Sequence, residues 1–423
     1  MLKNLQNNEF WKNVMTLLSA SVLAQAIPFL LLPILQKWFF TPSDFGVLAI
    51  YTSVSLLLAS VASLKYELAI VNEKEDSDAQ YLLWGSTIIA FVFASFMAII
   101  IYFFENSITN YFNAKELGGY VMLIPLTIIF VSVGEILSFW NNRKKKFKTI
   151  AGAKISKSIS AESSKLIFGN ISLTNGLIFG RIIGEFFSLL YFVIHFVKHD
   201  LTIFIKFDLQ KVKSVLSKNY RFPVFSMPSV FVGNFINVVF IALVSRYFGT
   251  DSTGIIGVSV VYVAVAFGIM SQAFSQVFFK EIYQHKSRGE LRSFYLKNAA
   301  ILLTISLLII TIVQLMPANA IVYLLGAQWV EMMPTLKILV FAYGAQFITS
   351  SLSFIYIRLS KQRTMLIFDI LHLGLIWMSV VLTYNYYESF YGVIIAYTIA
   401  QIVYYSLAFV AAIVFINRAD LKQ

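Results

Sequence analysis

The chain has 423 residues, 58% of them hydrophobic and only 13% charged, with 33 Lys and Arg against 21 Asp and Glu for a net charge of +12. Its mean hydropathy of +0.76 separates it from soluble domains, which are roughly 25% charged and 45–50% apolar, and marks an integral membrane protein. Cysteine is absent, which excludes disulfides, a thiolate nucleophile and Cys-based metal sites, and the histidines (His195, His199, His285 and His372) lack metal-binding spacing.

Apolar stretches of membrane-crossing length recur along the chain, and they are too long and continuous for barrel strands. The pattern predicts an all-α polytopic protein of about twelve transmembrane helices. The spans are 14–36, 46–67, 81–104, 117–140, 151–173, 175–197, 222–244, 254–278, 298–317, 335–357, 365–384 and 391–415. The first resembles a signal peptide at Ala24-Gln25-Ala26, but its apolar run continues through Pro28 and Pro33 to Leu35, so it reads as a bent helix.

Orientation follows from the basic residues. One side collects 27 of the 33, including Lys3, Lys12, Lys65, Lys74, Arg418, Lys422 and the segments 141–157, 198–221, 279–297 and 358–364. The other side has Lys37, Lys115 and Arg246, so both termini are expected in the cytoplasm. The run Arg143 to Lys148 is first a topology signal and second a place for anionic lipid headgroups.

Segment 198–221 splits the spans six and six. It predicts an N-terminal lobe over 1–197, a cytoplasmic amphipathic linker and a C-terminal lobe over 222–423. Leu209, Val212, Val215 and Leu216 recur there at helical spacing among lysines, as on a helix lying along a membrane surface.

The stretch from Ile150 to Lys198 is expected to cross the membrane twice while carrying Lys165, Arg181 and Glu185. Charges at that depth, roughly 9–15 Å from the nearer surface at 1.5 Å per residue, are costly and face a protein interior or a wet cavity. Arg181 and Glu185 are four apart and can pair on one helical face. Lys165 is expected to lack a partner in its own helix and so to seek an anion, from another side chain or a substrate. Lys65 and Glu67 are expected to snorkel to the cytoplasmic surface. Glu135 lies deep enough to face inward. Asp369 and His372, three apart, can form one hydrogen-bonded unit, and either it or Glu135 can serve ion coupling or structural pairing. Polar stripes containing Gln25 (with Thr16, Ser19 and Ser21) and Asn234 and Asn237 (with Ser226, Ser229 and Gly233) give the first and seventh spans a wettable face.

The halves repeat. Phe39 to Gly46 after the first span matches Tyr247 to Gly254 after the seventh at an offset of 208, and Tyr111 to Ala114 matches Leu324 to Ala327 at an offset of 213. Such repeats are a mark of transporters. No phosphate-cradling loop, nucleophile elbow or metal constellation is present, and loops of at most about 20 residues leave no room for a soluble catalytic domain. Neither an enzyme nor a cofactor-dependent protein is expected.

Three stretches carry a family resemblance. Asn219-Tyr220-Arg221-Phe222-Pro223 entering the seventh span, the turn from Phe248 to Gly254, and Leu325-Gly326-Ala327-Gln328-Trp329 before the tenth resemble the Wzx-type polysaccharide flippases of the multidrug/oligosaccharidyl-lipid/polysaccharide (MOP) superfamily. The Gly-Ala-Gln-Trp order departs slightly from the family's usual Phe-Gly ahead of a residue and Trp. The resemblance implies two six-helix lobes in a MATE-like V around a central cavity, working by alternating access in the bacterial inner membrane. It implies flipping of undecaprenyl-pyrophosphate-linked oligosaccharide units for O-antigen, lipopolysaccharide, capsule or exopolysaccharide synthesis. Partners would be membrane lipids, a glycan polymerase and a chain-length regulator, with no nucleic acid. Cationic cavities that bind pyrophosphate in the family suit Lys165 and Arg181, with Gln25, Asn234 and Asn237 along the path. The alternatives are a multidrug or cation antiporter, which would favour acidic cavity residues, and a peptidoglycan-precursor lipid flippase, which usually carries more helices.

Overall fold

The computed structural model describes residues 9–200, 207–285, 287–359 and 361–419, and among them every regular element is a helix. In chain order the α-helices are α1 (Glu9–Trp38), α2 (Pro42–Val61), α3 (Glu67–Asn72), α4 (Asp76–Tyr111), α5 (Ile124–Arg143), α6 (Phe147–Asn170), α7 (Gly176–His199) and α8 (Leu209–Lys218). They continue as α9 (Met227–Glu281), α10 (Arg288–Leu315), α11 (Ala320–Leu325), α12 (Met332–Ser351), α13 (Phe354–Arg358), α14 (Gln362–Tyr387) and α15 (Phe390–Arg418). Lys3 and Lys422 lie outside the described residues, as do the side chains of Lys12, Thr16, Ser19 and Ser21.

Among the described residues nine helical stretches are long and apolar enough to cross a membrane, and one of them, Phe222–Gln284, contains both the seventh and eighth sequence-derived spans. The first span falls on α1, whose apolar part is the shorter Val22–Trp38. The fifth falls on α6, which is not among the nine. Its serines and lysines make it a helix of full crossing length without an all-round apolar surface, so the expectation of two apolar crossings from 150 to 198 holds for α7 alone.

The repeats seen in the sequence have backbone counterparts. The Phe39 to Gly46 turn closes with a capping box: the Asp44 N–H donates to Thr41 Oγ1 at 3.4 Å and the Thr41 N–H to Asp44 Oδ2 at 2.8 Å, with Pro42 opening α2. At the position 208 residues later, Gly249 has φ of 81° and breaks α9. Asn113 (φ 48°) and Gly326 (φ 104°), 213 apart, both turn through positive φ, the region that Gly and Asn enter at least cost.

The chain divides into two compact units, Met1–Val238 and Val239–Gln423. In the first, α6 packs against α1 and α7, and α5 packs against α2, α4 and α7. Helix α8 is capped by Asp208, whose Oδ1 accepts from the Gln210 N–H at 2.9 Å, and it docks on α4. Val212 and Val215 are buried, Leu216 lies against Gly85, and Lys218 Nζ reaches Glu73 at 2.7 Å and Asp78 at 3.2 Å. Most of the apolar face expected to lie on a membrane surface is thus spent on protein, and Leu209 alone of the four stays exposed. The basic turn after α5 is also engaged internally: Arg143 binds Asp76 at 2.7 Å, Lys144 binds it at 2.8 Å, and Lys146 binds Asp200 at 2.8 Å. Of the run read as a headgroup site, that leaves Lys145 and Lys148 exposed.

In the second unit α12 packs against α10 and α15, and α15 packs on α14. Stacked rings fill its interior, among them Phe240 on Tyr397 at 3.7 Å and Tyr247 on Tyr384 at 3.8 Å. A capping box at Ser287 and Glu290 starts α10.

Candidate functional site

Helices α6 and α7 approach closely because α7 carries Gly180 and Gly184, four apart, where it meets α6. A Cβ on Gly184 would stand 2.7 Å from Ala161 Cβ and 3.0 Å from the Lys157 carbonyl oxygen. One on Gly180 would stand 2.5 Å from Lys165 Cγ and 3.1 Å from the Ala161 carbonyl oxygen. Small residues at this spacing allow two membrane helices to touch backbone to backbone.

The close approach gathers charges from both helices. Lys157 Nζ lies 2.6 Å from Glu185 Oε1, Arg181 Nη2 lies 3.4 Å from the same oxygen, and Lys165 Nζ lies 2.6 Å from Glu162 Oε1. The carboxylates are buried, at 5% and 4% side-chain exposure for Glu185 and Glu162, whereas Lys157 is 42% exposed against 20% for Arg181 and 15% for Lys165. Among the described residues these three cations share two carboxylates, one positive charge in excess. In addition, Arg181 Nε is buried without an acceptor among the described residues. Arg181, the more buried of the two cations on Glu185, is costly to leave unbalanced there, and a bound anion would lower that cost.

Two expectations require correction. Lys165 does have a partner in its own helix: Glu162, one turn earlier, faces the same way and is buried with it. Lys65 and Glu67 do not snorkel to the surface. The chain leaves α2 through two left-handed residues, Leu64 (φ 53°) and Lys65 (φ 62°), and this turn folds the lysine inward. Its ammonium sits 3.0 Å from Glu67 and 3.1 Å from Glu135, and Ser63 donates a hydrogen bond to Glu67. Glu135 therefore belongs to an ion-paired cluster of the first unit.

The remaining candidates are distributed over both units. Gln25 is half-buried on α1, next to Ala24, whose carbonyl accepts from Ser158 of α6 at 2.6 Å. Asn234 is half-buried and donates to Ser60 Oγ at 3.1 Å, while Asn237 is exposed. Asp369 and His372 meet through a shared neighbour: the Tyr404 hydroxyl donates to Asp369 Oδ1 at 2.7 Å, and its ring stacks on His372 at 3.7 Å. His372 Nε2 is buried without a hydrogen-bond partner among the described residues. A cavity of about 180 Å³ lined by Thr349, Tyr356, Phe368, Tyr404 and Tyr405 adjoins this group.

Glu162 and Lys157 were missed from sequence. The Glu162 to Lys165 spacing of three was a sufficient signal for the first. The pairing of Lys157 with Glu185 joins two helices, and no pattern within either one announces it.

With this geometry in view, comparison with known proteins adds three findings. The family model for polysaccharide biosynthesis proteins matches residues 38–334. Among curated protein sequences none matches the chain. Among solved structures, a multidrug resistance MATE family transporter of the MOP superfamily, in an inward-facing conformation, aligns with a TM-score of 0.72 at 15% identity over 95% of this chain and 94% of that one. The lipid II flippase MurJ, in an inward closed conformation, aligns at 0.71 and 15% identity over 94% and 87%. A MOP superfamily transporter from Pyrococcus furiosus with a binding pocket of reverse polarity aligns at 0.58 and 15% identity over 97% and 96%. A family match running from residue 38 to residue 334, on a fold shared with MOP superfamily transporters, makes this chain a member of the polysaccharide biosynthesis protein family, of the Wzx type that its motifs resemble.

Proposed function

We propose that the chain is a flippase that moves undecaprenyl-pyrophosphate-linked oligosaccharide from the cytoplasmic to the periplasmic leaflet of the bacterial inner membrane, for surface polysaccharide synthesis. The observation that carries the reading is the charge imbalance of the α6–α7 cluster, where Lys157, Lys165 and Arg181 stand against Glu162 and Glu185. A diphosphate linked at both ends, to prenyl chain and sugar, is an acceptor-only dianion. It fits an Arg fork with a spare Nε–H and a partly exposed Lys, two donors suited to phosphate oxygens. In this reading Lys165 is largely neutralised by Glu162 and supports the seat, while Lys157 and Arg181 face the substrate. Gln25, Asn234 and Asn237 supply hydrogen bonds along the path, and the Lys65–Glu67–Glu135 and Asp369–Tyr404–His372 groups serve ion coupling or structural pairing. The family and the MurJ-like fold support a transporter of lipid-linked glycan rather than an enzyme. The positive excess weighs against a cation antiporter.

Reconstitution tests the proposal. Proteoliposomes containing the purified chain should expose a fluorescent prenyl-diphosphate oligosaccharide to an externally added lectin faster than empty liposomes do. A rate equal to that of empty liposomes, together with active transport of a cationic dye, would replace this reading with the antiporter.

A further inference from the structure

Beside the charge cluster, α6 and α7 form an open groove of about 680 Å³, where Ile155 and Ile159 alternate with Ser156, Ser160, Ser163 and Ser164 on α6 and face Phe187 and Tyr191 on α7. Its size is that of a ligand pocket, roughly 300–1,000 Å³. Three features separate it from a lipid-facing surface. Its floor carries a row of four hydroxyls along α6, a 24-residue helix that is not among the apolar spans found in the described residues. Its wall is aromatic, with Phe187 and Tyr191 each about two-fifths exposed, the latter laid against α6 at Gly152. Lys157 stands at its edge, directly after Ser156 and one turn before Ser160, with its ammonium on Glu185. Ser160 gives its proton to the Ser156 carbonyl at 2.7 Å or to the Lys157 carbonyl at 3.2 Å, so its lone pairs remain open toward the groove.

We infer that this groove binds the sugar ring attached directly to the diphosphate. The inference rests on the diphosphate reading above and extends it. A sugar ring has two kinds of surface, C–H faces and hydroxyl edges. The groove offers both counterparts: aromatic faces on α7 for the C–H side and serine oxygens on α6 for the hydroxyls. Charge complementarity fixes the orientation. A phosphate on Lys157 and Arg181 leaves its first glycosidic bond at the Ser156–Ser160 end, so the ring lies along α6. A prenyl chain has no donor or acceptor: it could lie on Ile155 and Ile159, but burying it there would leave the lone pairs of the four hydroxyls without donors, which a sugar's hydroxyls supply.

The test uses the purified full chain and two probes of equal charge, geranyl diphosphate capped on its outer phosphate with a methyl group and geranyl diphosphate carrying one glucose there, both diester dianions. Wild type should bind the glucosylated probe about tenfold more tightly. Ser160→Leu, which fills the groove, should erase that difference and leave affinity for the methyl-capped probe unchanged. The milder Ser160→Ala/Ser164→Ala pair, which adds no bulk, should cut the preference severalfold, and Lys157→Gln should weaken both probes alike. Equal affinity of the two probes for wild type, with diphosphate binding intact, overturns the sugar site and leaves the diphosphate seat standing. A Ser160→Leu chain that loses both probes equally places the prenyl chain in the groove and also overturns it. Failure of wild type to bind either probe overturns the seat together with the groove.

Discussion

The contact of α6 with α7 supports a quantitative prediction, because Gly184 is where the two backbones touch. Gly184→Ala places a methyl 2.7 Å from Ala161 Cβ and 3.0 Å from the Lys157 carbonyl oxygen, and the latter belongs to a helix backbone that cannot swing aside. Overpacking of this kind costs about 1–3 kcal/mol, partly offset by the roughly 1 kcal/mol that Ala gains over Gly within a helix. The same substitution at Gly374 in α14 meets nothing within 4 Å and should show the favourable part alone. The two variants should therefore move the thermal midpoint of the detergent-purified chain in opposite directions, Gly184→Ala downward and Gly374→Ala upward. Ala161→Gly in the Gly184→Ala background removes the methyl that collides and should recover part of the loss, the non-additivity expected of touching residues. Because the same displacement pushes Lys157 away from Glu185, glycan export should fall by more than protein abundance. A Gly184→Ala chain that melts with or above wild type would refute the packing argument.

Three further predictions concern topology, accessibility and the docked helix. Reporter fusions after Asn142 or Lys211 should be cytoplasmic and those after Thr41 or Thr250 periplasmic, following the basic asymmetry; a periplasmic signal from the 141–157 segment would overturn the assignment. Cysteine placed at Gln25 or Asn234 in this cysteine-free chain should react with a small aqueous thiol reagent faster than cysteine at Phe96, an exposed apolar position on α4, and equal rates would count against a wet face. Burial alone would raise the Glu73 carboxyl pKa, but hydrogen bonds from Lys218, Asn219 and the Lys74 N–H outweigh it and hold the value below the usual range. A lowered native pKa gives stability that is present above the unfolded value, about 4.3, and is lost as pH falls through the native one. Amide exchange in α8, corrected for its intrinsic rate, should accelerate below that value in wild type and already at neutral pH in Glu73→Gln. Wild-type protection in Glu73→Gln would show that the Lys218 pair does not hold α8 down.

The sequence displayed what depends on one helix at a time. Most of the expected spans were visible because membrane crossing imposes length and hydropathy on each stretch separately, and the repeat was visible because the same turns recur, with Asn113 and Gly326 now both seen at positive φ. The pairing of Arg181 with Glu185 was legible from its spacing of four. What depends on two elements meeting was not. The inward turn of Lys65 follows from two left-handed residues that are neither Gly nor Asn, so nothing in their identity signals it. The docking of α8 needed Gly85 on a distant helix to make room for Leu216. Lys157 read as a loop cation because the basic run before it masked the start of α6, and only the Gly180–Gly184 approach reveals its carboxylate.

The central claim is that the α6–α7 cluster holds one cation more than it can neutralise, and that this excess serves the substrate. Charge-balanced substitution tests it most directly. Lys165→Met/Glu162→Gln removes a cation and its own carboxylate together, so the excess survives; Lys157→Gln removes a cation alone, so the excess disappears while Arg181 keeps Glu185. Surface glycan should be measured in cells lacking the native gene and supplied with each variant, normalised to the amount of protein in the membrane. The double variant should retain most export, and Lys157→Gln should lose nearly all of it at near-normal abundance. Normal export from Lys157→Gln, with export abolished in the balanced double variant, would contradict the account and assign the substrate to the Lys165–Glu162 pair.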